Sequence, residues 1–340
     1  MRVGNLGGFG NTGVTALCDF LEDTASIYGF LPKFHEAGYV KSDISFFSLM
    51  QIAEHGIAAN TPNYSLIDLF DSLIGDIGSK AFHYEQKGFN EQGHLENRAD
   101  MQRFIPRHRL ASIIQDSLRQ LGILDPNMNQ RVMAVVREVD IIAAFNTFTS
   151  SIVDELTSGN GPYSANKVRS LFFKNDPPAA FPDLSSKFHD YSIFICRPPC
   201  DTTYDLLRHY KMEISDTNID WHITSYRSMI ESFLLRADRI PKENLLDTIR
   251  LIEFPVFVNS PKARLELISF ILQDAMNNDS LIYNIDSQPE RKFNPKDSAK
   301  NIGHGANLPI QMRQRIEVEL DPVYQELLEY CAKRDILVHA

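Results

Sequence analysis

The sequence has no apolar run of 18 or more residues, so no helical membrane span is expected. Its four cysteines (Cys18, Cys196, Cys200, Cys331) are too few, at 340 residues, for a disulfide framework. Cys196 and Cys200 stand four apart with no second Cys or His pair nearby, which argues against a zinc site. Cys18 and Cys196 lie in apolar runs and read as core. Positive charge is also scarce. There are 34 Lys and Arg against 44 Asp and Glu, and the net charge of −10 argues against nucleic acid as the main partner. Glycines follow Arg2 where a signal peptide would carry an apolar segment, so a cytoplasmic, reducing setting is expected. The chain has no internal repeat and no low-complexity tract.

Glycine is concentrated where it matters. A short apolar run, Met1 to Leu6, leads into Gly7, Gly8, Gly10 and Gly13. Val14, Leu17, Cys18 and Leu21 then recur at i, i+3, i+4 and i+7, one face of a helix. Strand, glycine turn and helix in that order build an anion site, because bare amides face the ligand and the helix N-terminus adds positive potential. Thr12 and Thr15 can cap the helix or donate hydroxyls to phosphate oxygens. Gly8 and Gly13 have Walker A spacing, but Val14 stands where that loop has Lys. Gly8, Gly10 and Gly13 also fit a dinucleotide G-x-G-x-x-G, but no acidic residue clearly ends a second strand about 20 residues on, although Glu36 is near. A tight βα turn without a ligand accounts for the same glycines.

Further on, residues 106–121 and about 129–156 have helical spacing, the second with the stripe Val132, Val135, Val139, Ile142, Phe145 and Phe148. VRSLFFK (168–174) and YSIFICR (191–197) read as strands, and the continuous apolar run of the second suits a parallel sheet covered on both faces. A helix capped by Asp201, an amphipathic helix at 223–238, a final strand FPVFV (254–258) and a helix from Pro261 follow. A basic loop at 290–309 precedes a last helix from Ile310. Alternating strands and helices predict an α/β fold.

Four segments together resemble the sulfotransferase family, whose members use 3′-phosphoadenosine 5′-phosphosulfate (PAPS). The first is the N-terminal strand, loop and helix. The family loop reads roughly K/R-[ST]-G-[TS]-T, and here it is Asn11, Thr12, Gly13, Val14, Thr15. The second is LFFKNDPPAAFPDLSSKFHDYSIFICR. The third, ICRPPCDTTYDLL, is similar to R-D-P-x-D-x-x-x-S, with Arg197, Pro199 and Asp201 matching. The fourth, SAKNIGHGANLP, resembles the loop that closes over the nucleotide. The chain departs from the pattern at Asn11 (the loop cation), Val14 (a hydroxyl), Pro198 (the Asp) and Asp205 (the Ser). The resemblance implies a P-loop NTPase-like central parallel sheet flanked by helices, in one α/β domain over 1–340 with a largely helical insertion at about 42–156. It implies sulfuryl transfer from PAPS, leaving 3′-phosphoadenosine 5′-phosphate (PAP), to a hydroxyl of a carbohydrate or other small acceptor. The cofactor residues it implies are Gly10, Asn11, Thr12, Gly13, Val14, Thr15, Arg197, Asp205, Lys300 and Gly303.

Such a reaction needs donors around the sulfuryl and phosphate oxygens and a base at the acceptor. Amides from Gly10 to Val14 can supply the first. Lys174, at a strand end, can supply the charge that Asn11 lacks, or is a solvated lysine. Arg197 has two readings: a phosphate ligand, or an ion pair with a carboxylate such as Asp201. Lys300, Gly303 and His304 either close over a nucleotide or form a plain solvated loop. His35 and Glu36 are both candidates for the base. Two other classes compete: a nucleotide-dependent kinase-like P-loop enzyme, which needs a loop Lys and a metal-holding Asp, and a non-catalytic relative that binds a partner or glycan.

Overall fold

The computed structural model describes residues 1–10, 12–24, 27–30, 50, 112–113, 116, 138–157, 169–174, 181–273 and 293–340. The chain divides into two compact units, Met1–Gly29 with Asp176–Ala340, and Phe30–Asn175.

The first unit is an α/β structure. Strands β1 (Arg2–Gly8), β4 (Tyr191–Cys196), β5 (Ile249–Glu253) and β6 (Leu337–Val338) are hydrogen-bonded neighbours in that order, and every pairing is parallel. Strand β2 (Ile27–Phe30) straddles the boundary between the units. Six consecutive buried residues in β4 show why a continuous apolar run is needed, since helices cover both faces of such a sheet. Alternate residues divide between the faces. Phe194, Cys196, Ile249 and Leu251 join the core made by helices α5 (Asp216–Ala237) and α10 (Ile310–Lys333). Helix α1 (Val14–Glu22) buries Val14, Leu17, Cys18 and Leu21, the face read from the sequence.

The register decides what meets at the sheet's carboxyl edge. Gly8 pairs with Ile195, and Ile195 pairs with Ile252. The residues that leave the sheet there are the glycine turn after β1, Arg197 after β4 and Phe254 after β5. This edge is where open α/β sheets bind ligands.

Several elements differ from expectation. FPVFV is not a strand. The strand is the preceding IRLIE, and Phe254–Asn259 is a short helix, α7, with Pro255 in its first turn. Proline fits that position and cannot donate within a sheet. The last strand is β6, a two-residue segment too short to signal itself in the sequence. Helix α4 (Pro199–His209) starts at Pro199, so Asp201 lies in the first turn and is not the cap. Helices α3 (Pro182–Phe188), α6 (Lys242–Thr248), α8 (Pro261–Leu272) and α9 (Pro295–Ala299) complete the described helices of this unit. Ser260 caps α8 by accepting from the amide of Ala263 at 3.2 Å.

In the second unit, helix α2 (Glu138–Thr157) and strand β3 (Ser170–Lys174) are described. Phe148 stacks on Phe173 at 6.4 Å between ring centroids. The buried stripe of α2 is Ile141, Phe145, Phe148 and Ile152, while Val139 is 62% exposed. From Val139 onward the expected stripe steps by three, which drifts round a helix until Val139 lies opposite Phe148. Val132, Val135 and most of the segment expected as a helical insertion lie outside the described residues.

Candidate functional site at the carboxyl edge of the sheet

The turn between β1 and α1 reverses on two left-handed glycines, Gly10 at φ +80° and Gly13 at φ +101°. Gly13 is the N-cap of α1, and no side chain caps that helix. The expected capping by Thr12 is therefore absent. Thr12 is buried, and its hydroxyl lies so close over Gly8 that a Cβ on Gly8 would stand 2.2 Å from Oγ1. The Thr12 hydroxyl is buried and has no hydrogen-bond partner among the described residues. The first turn of α1 carries no acidic residue, so nothing in that turn competes with an anion for its amides. Val14 is buried and Thr15 is exposed. Asn11 lies outside the described residues.

Phe254 joins this turn to Arg197. A Cβ on Gly13 would stand 2.3 Å from the ring. The guanidinium carbon of Arg197 lies 5.0 Å from the centroid of the same ring. Phe254 was not visible as a site residue from the sequence, because its segment reads as a strand. The usable signal was Pro255.

Arg197 is buried and meets carboxylates. Nη1 donates to Asp205, Nη2 donates to the carbonyl of Asn301, and Nε lies 3.8 Å from Oδ2 of Asp201 without a hydrogen bond. The ion-pair reading of Arg197 is thus realised in this conformation, with Asp205 as the closer partner. Asp201 also accepts the amides of Gly305 at 2.7 Å and Gly303 at 2.8 Å. Nδ1 of His304 is 2.7 Å from Oδ1 of Asp205. Four sequence candidates are therefore brought into one cluster: Arg197 and His304 meet Asp205, and Gly303 meets Asp201. Lys300 is exposed and pairs with Asp297 at 2.6 Å.

Beneath Arg197, the hydroxyl of Tyr226 donates to its carbonyl at 2.8 Å. Beside it, Tyr324 donates to Oε1 of Glu253 at 2.6 Å, and Sγ of Cys196 is 3.7 Å from the Tyr324 hydroxyl. Burial raises the Cys196 thiol and the phenols of Tyr226 and Tyr324 well above their ordinary ranges, so all three stay protonated near neutral pH.

Lys174 ends β3 in the second unit and is buried, so it is not the solvated strand-end lysine of the alternative reading. His35 and Glu36 lie outside the described residues. Among the described residues no helix is long and apolar enough to cross a membrane. Compared with known proteins, the sequence matches no family model and no curated protein significantly.

Proposed function

We propose that the turn between β1 and α1 binds the phosphosulfate end of PAPS, and that the chain is a sulfotransferase acting on a hydroxyl of a carbohydrate or other small acceptor. One observation carries this reading. An uncapped helix N-terminus and two left-handed glycines lie at the carboxyl edge of a parallel sheet, beside a buried threonine hydroxyl that has no partner among the described residues. That set suits a ligand with tightly grouped anionic oxygens. Buried polar groups are ordinarily satisfied, and an unpartnered one invites a ligand or water.

When bound, PAPS supplies an activated sulfuryl group on a phosphate leaving group. The first-turn amides of α1 stabilise charge on the departing phosphate. A base takes the proton from the acceptor hydroxyl, with His35 and Glu36 as its candidates. Lys174 is the candidate cation in place of Asn11. The free thiols of all four cysteines support a reducing, cytoplasmic setting.

A second reading, a non-catalytic relative that keeps the fold, is favoured by a separate observation: Arg197 already has Asp205, Asp201 and the Asn301 carbonyl around it. Thermal shift with PAP, ATP and NAD in parallel, followed by transfer assays with PAPS and hydroxylated acceptors, separates the readings. Stabilisation by PAP above the others with turnover supports the sulfotransferase. PAP binding without turnover supports the non-catalytic relative. Stabilisation by ATP or NAD alone overturns both.

A further inference from the structure

Arg197 is contacted by two aspartates that differ in how firmly they are held. Asp201 is anchored by backbone. Its two oxygens each take an amide from the segment 301–305, and its side chain is 8% exposed. That segment has no room to settle closer, since a Cβ on Gly305 would stand 2.5 Å from Cβ of Cys200. Asp205 is held by side chains alone. One oxygen meets Arg197, the other meets His304, and its side chain is 19% exposed. It lies one turn further along α4 and can swing out by rotating its own χ angles. Asp201 cannot do so without releasing two backbone amides.

The charge balance of the cluster is unfavourable to an incoming anion. One guanidinium faces two carboxylates, and His304 is the other titratable group at Asp205. Yet Arg197 is incompletely satisfied, because its buried Nε has no hydrogen-bond partner among the described residues. Of the four buried orphan side-chain atoms among the described residues, two belong to Thr12 and Arg197. These residues flank the same Phe254 ring, Thr12 through its neighbour Gly13. Orphaned donors on Arg197 and next to Gly13, both residues against one aromatic ring, suit a ligand with two anionic groups.

We infer that Asp205 is an internal competitor for Arg197. A ligand whose first anionic group sits on the glycine turn reaches Arg197 with its second only when Asp205 swings away, while Asp201 keeps the segment 301–305 in place. Asp205 therefore sets how strongly the site discriminates between one anionic group and two. This rests on the phosphate-binding reading of the turn and adds a specificity determinant to it.

The test compares two ligands that differ by one phosphate, PAP and adenosine 5′-monophosphate, by titration calorimetry on the wild type, Asp205→Asn and Asp205→Ser. Asp205→Asn keeps the side chain's volume, Asp205→Ser removes the charge with a shorter hydroxyl, and unchanged melting checks that both fold. Removing the competing charge should tighten PAP by tenfold or more and leave adenosine 5′-monophosphate within about twofold. Arg197→Lys in the Asp205→Asn background should return PAP to near the affinity of the monophosphate, because the planar fork is lost. If the wild type binds both ligands and the Asp205 variants change neither, or change both equally, Asp205 is not the competitor. If no form binds either ligand, the phosphate-binding reading of the turn fails and the competitor falls with it. If both variants misfold, Asp205 is a structural ion-pair partner and the inference is overturned.

Discussion

Gly13 and Phe254 are in contact so close that any side chain at position 13 would have to displace the ring. A Cβ there would stand 2.3 Å from the ring, and φ is already +101°. Gly10 has the same left-handed backbone at φ +80°, but its nearest neighbour is Cε of Met229 at 3.8 Å. The pair separates backbone strain from a clash. Gly10→Ala should cost about 1–2 kcal/mol, the left-handed penalty alone. Gly13→Ala should cost at least about 1 kcal/mol more. Adding Phe254→Ala should recover part of that excess, giving a coupling on the order of 1 kcal/mol in urea unfolding. Equal costs for the two alanines would show that the ring yields freely.

Thr12 offers a test in which stability and binding move in opposite directions. Its hydroxyl is buried without a partner among the described residues. Thr12→Val keeps the shape and removes the unsatisfied group, so the free protein should be as stable as the wild type or more stable by about 1 kcal/mol. PAP affinity should nevertheless fall about tenfold, measured by calorimetry. An unchanged affinity would remove the hydroxyl from the donor set.

Lys174 is the candidate for the charge missing at Asn11. If it acts on the leaving phosphate, Lys174→Ala should lower kcat by about 100-fold or more while leaving the acceptor KM near its wild-type value. Steady-state kinetics with PAPS would show the split. Wild-type turnover in the variant would take Lys174 out of the reaction.

Acid should destabilise the fold through two buried histidines. Burial lowers His189 and His222 to about 4, and the ring of His222 stacks on Tyr226 at 5.5 Å with its Nε2 unpartnered among the described residues. Nδ1 of His189 lies 3.1 Å from the carbonyl of Ser185. The unfolded chain takes up protons near pH 6.5 and the folded one does not until about pH 4. Stability is therefore fully present above pH 6.5 and declines as pH falls from there to 4, by an amount on the order of 3 kcal/mol for each histidine. His222→Phe should flatten this decline, followed as urea midpoints against pH. An equally steep decline would show that other groups dominate.

The sequence by itself determined the local elements whose signal is local. The glycine turn, the buried face of α1 and the fully buried β4 follow from spacing, because helix and strand periods are written in neighbouring residues. It also brought Arg197, Asp205, Gly303 and His304 forward as site candidates. What it left open at Arg197 was a choice between a phosphate and a carboxylate, since residue type names the charge and not the partner. Only the tertiary structure decided that Asp205, Asp201 and the Asn301 carbonyl take up Arg197 in this conformation. Asp201 and Asp205 are near in sequence, but the Asn301 contact spans 104 positions, a pairing that no single segment encodes. Phe254 was hidden for the same reason. Five residues of FPVFV satisfy a strand pattern, and their helical start became visible only once IRLIE occupied the sheet position beside β4. Short apolar runs are ambiguous by period alone, and pairing across the sheet resolves them.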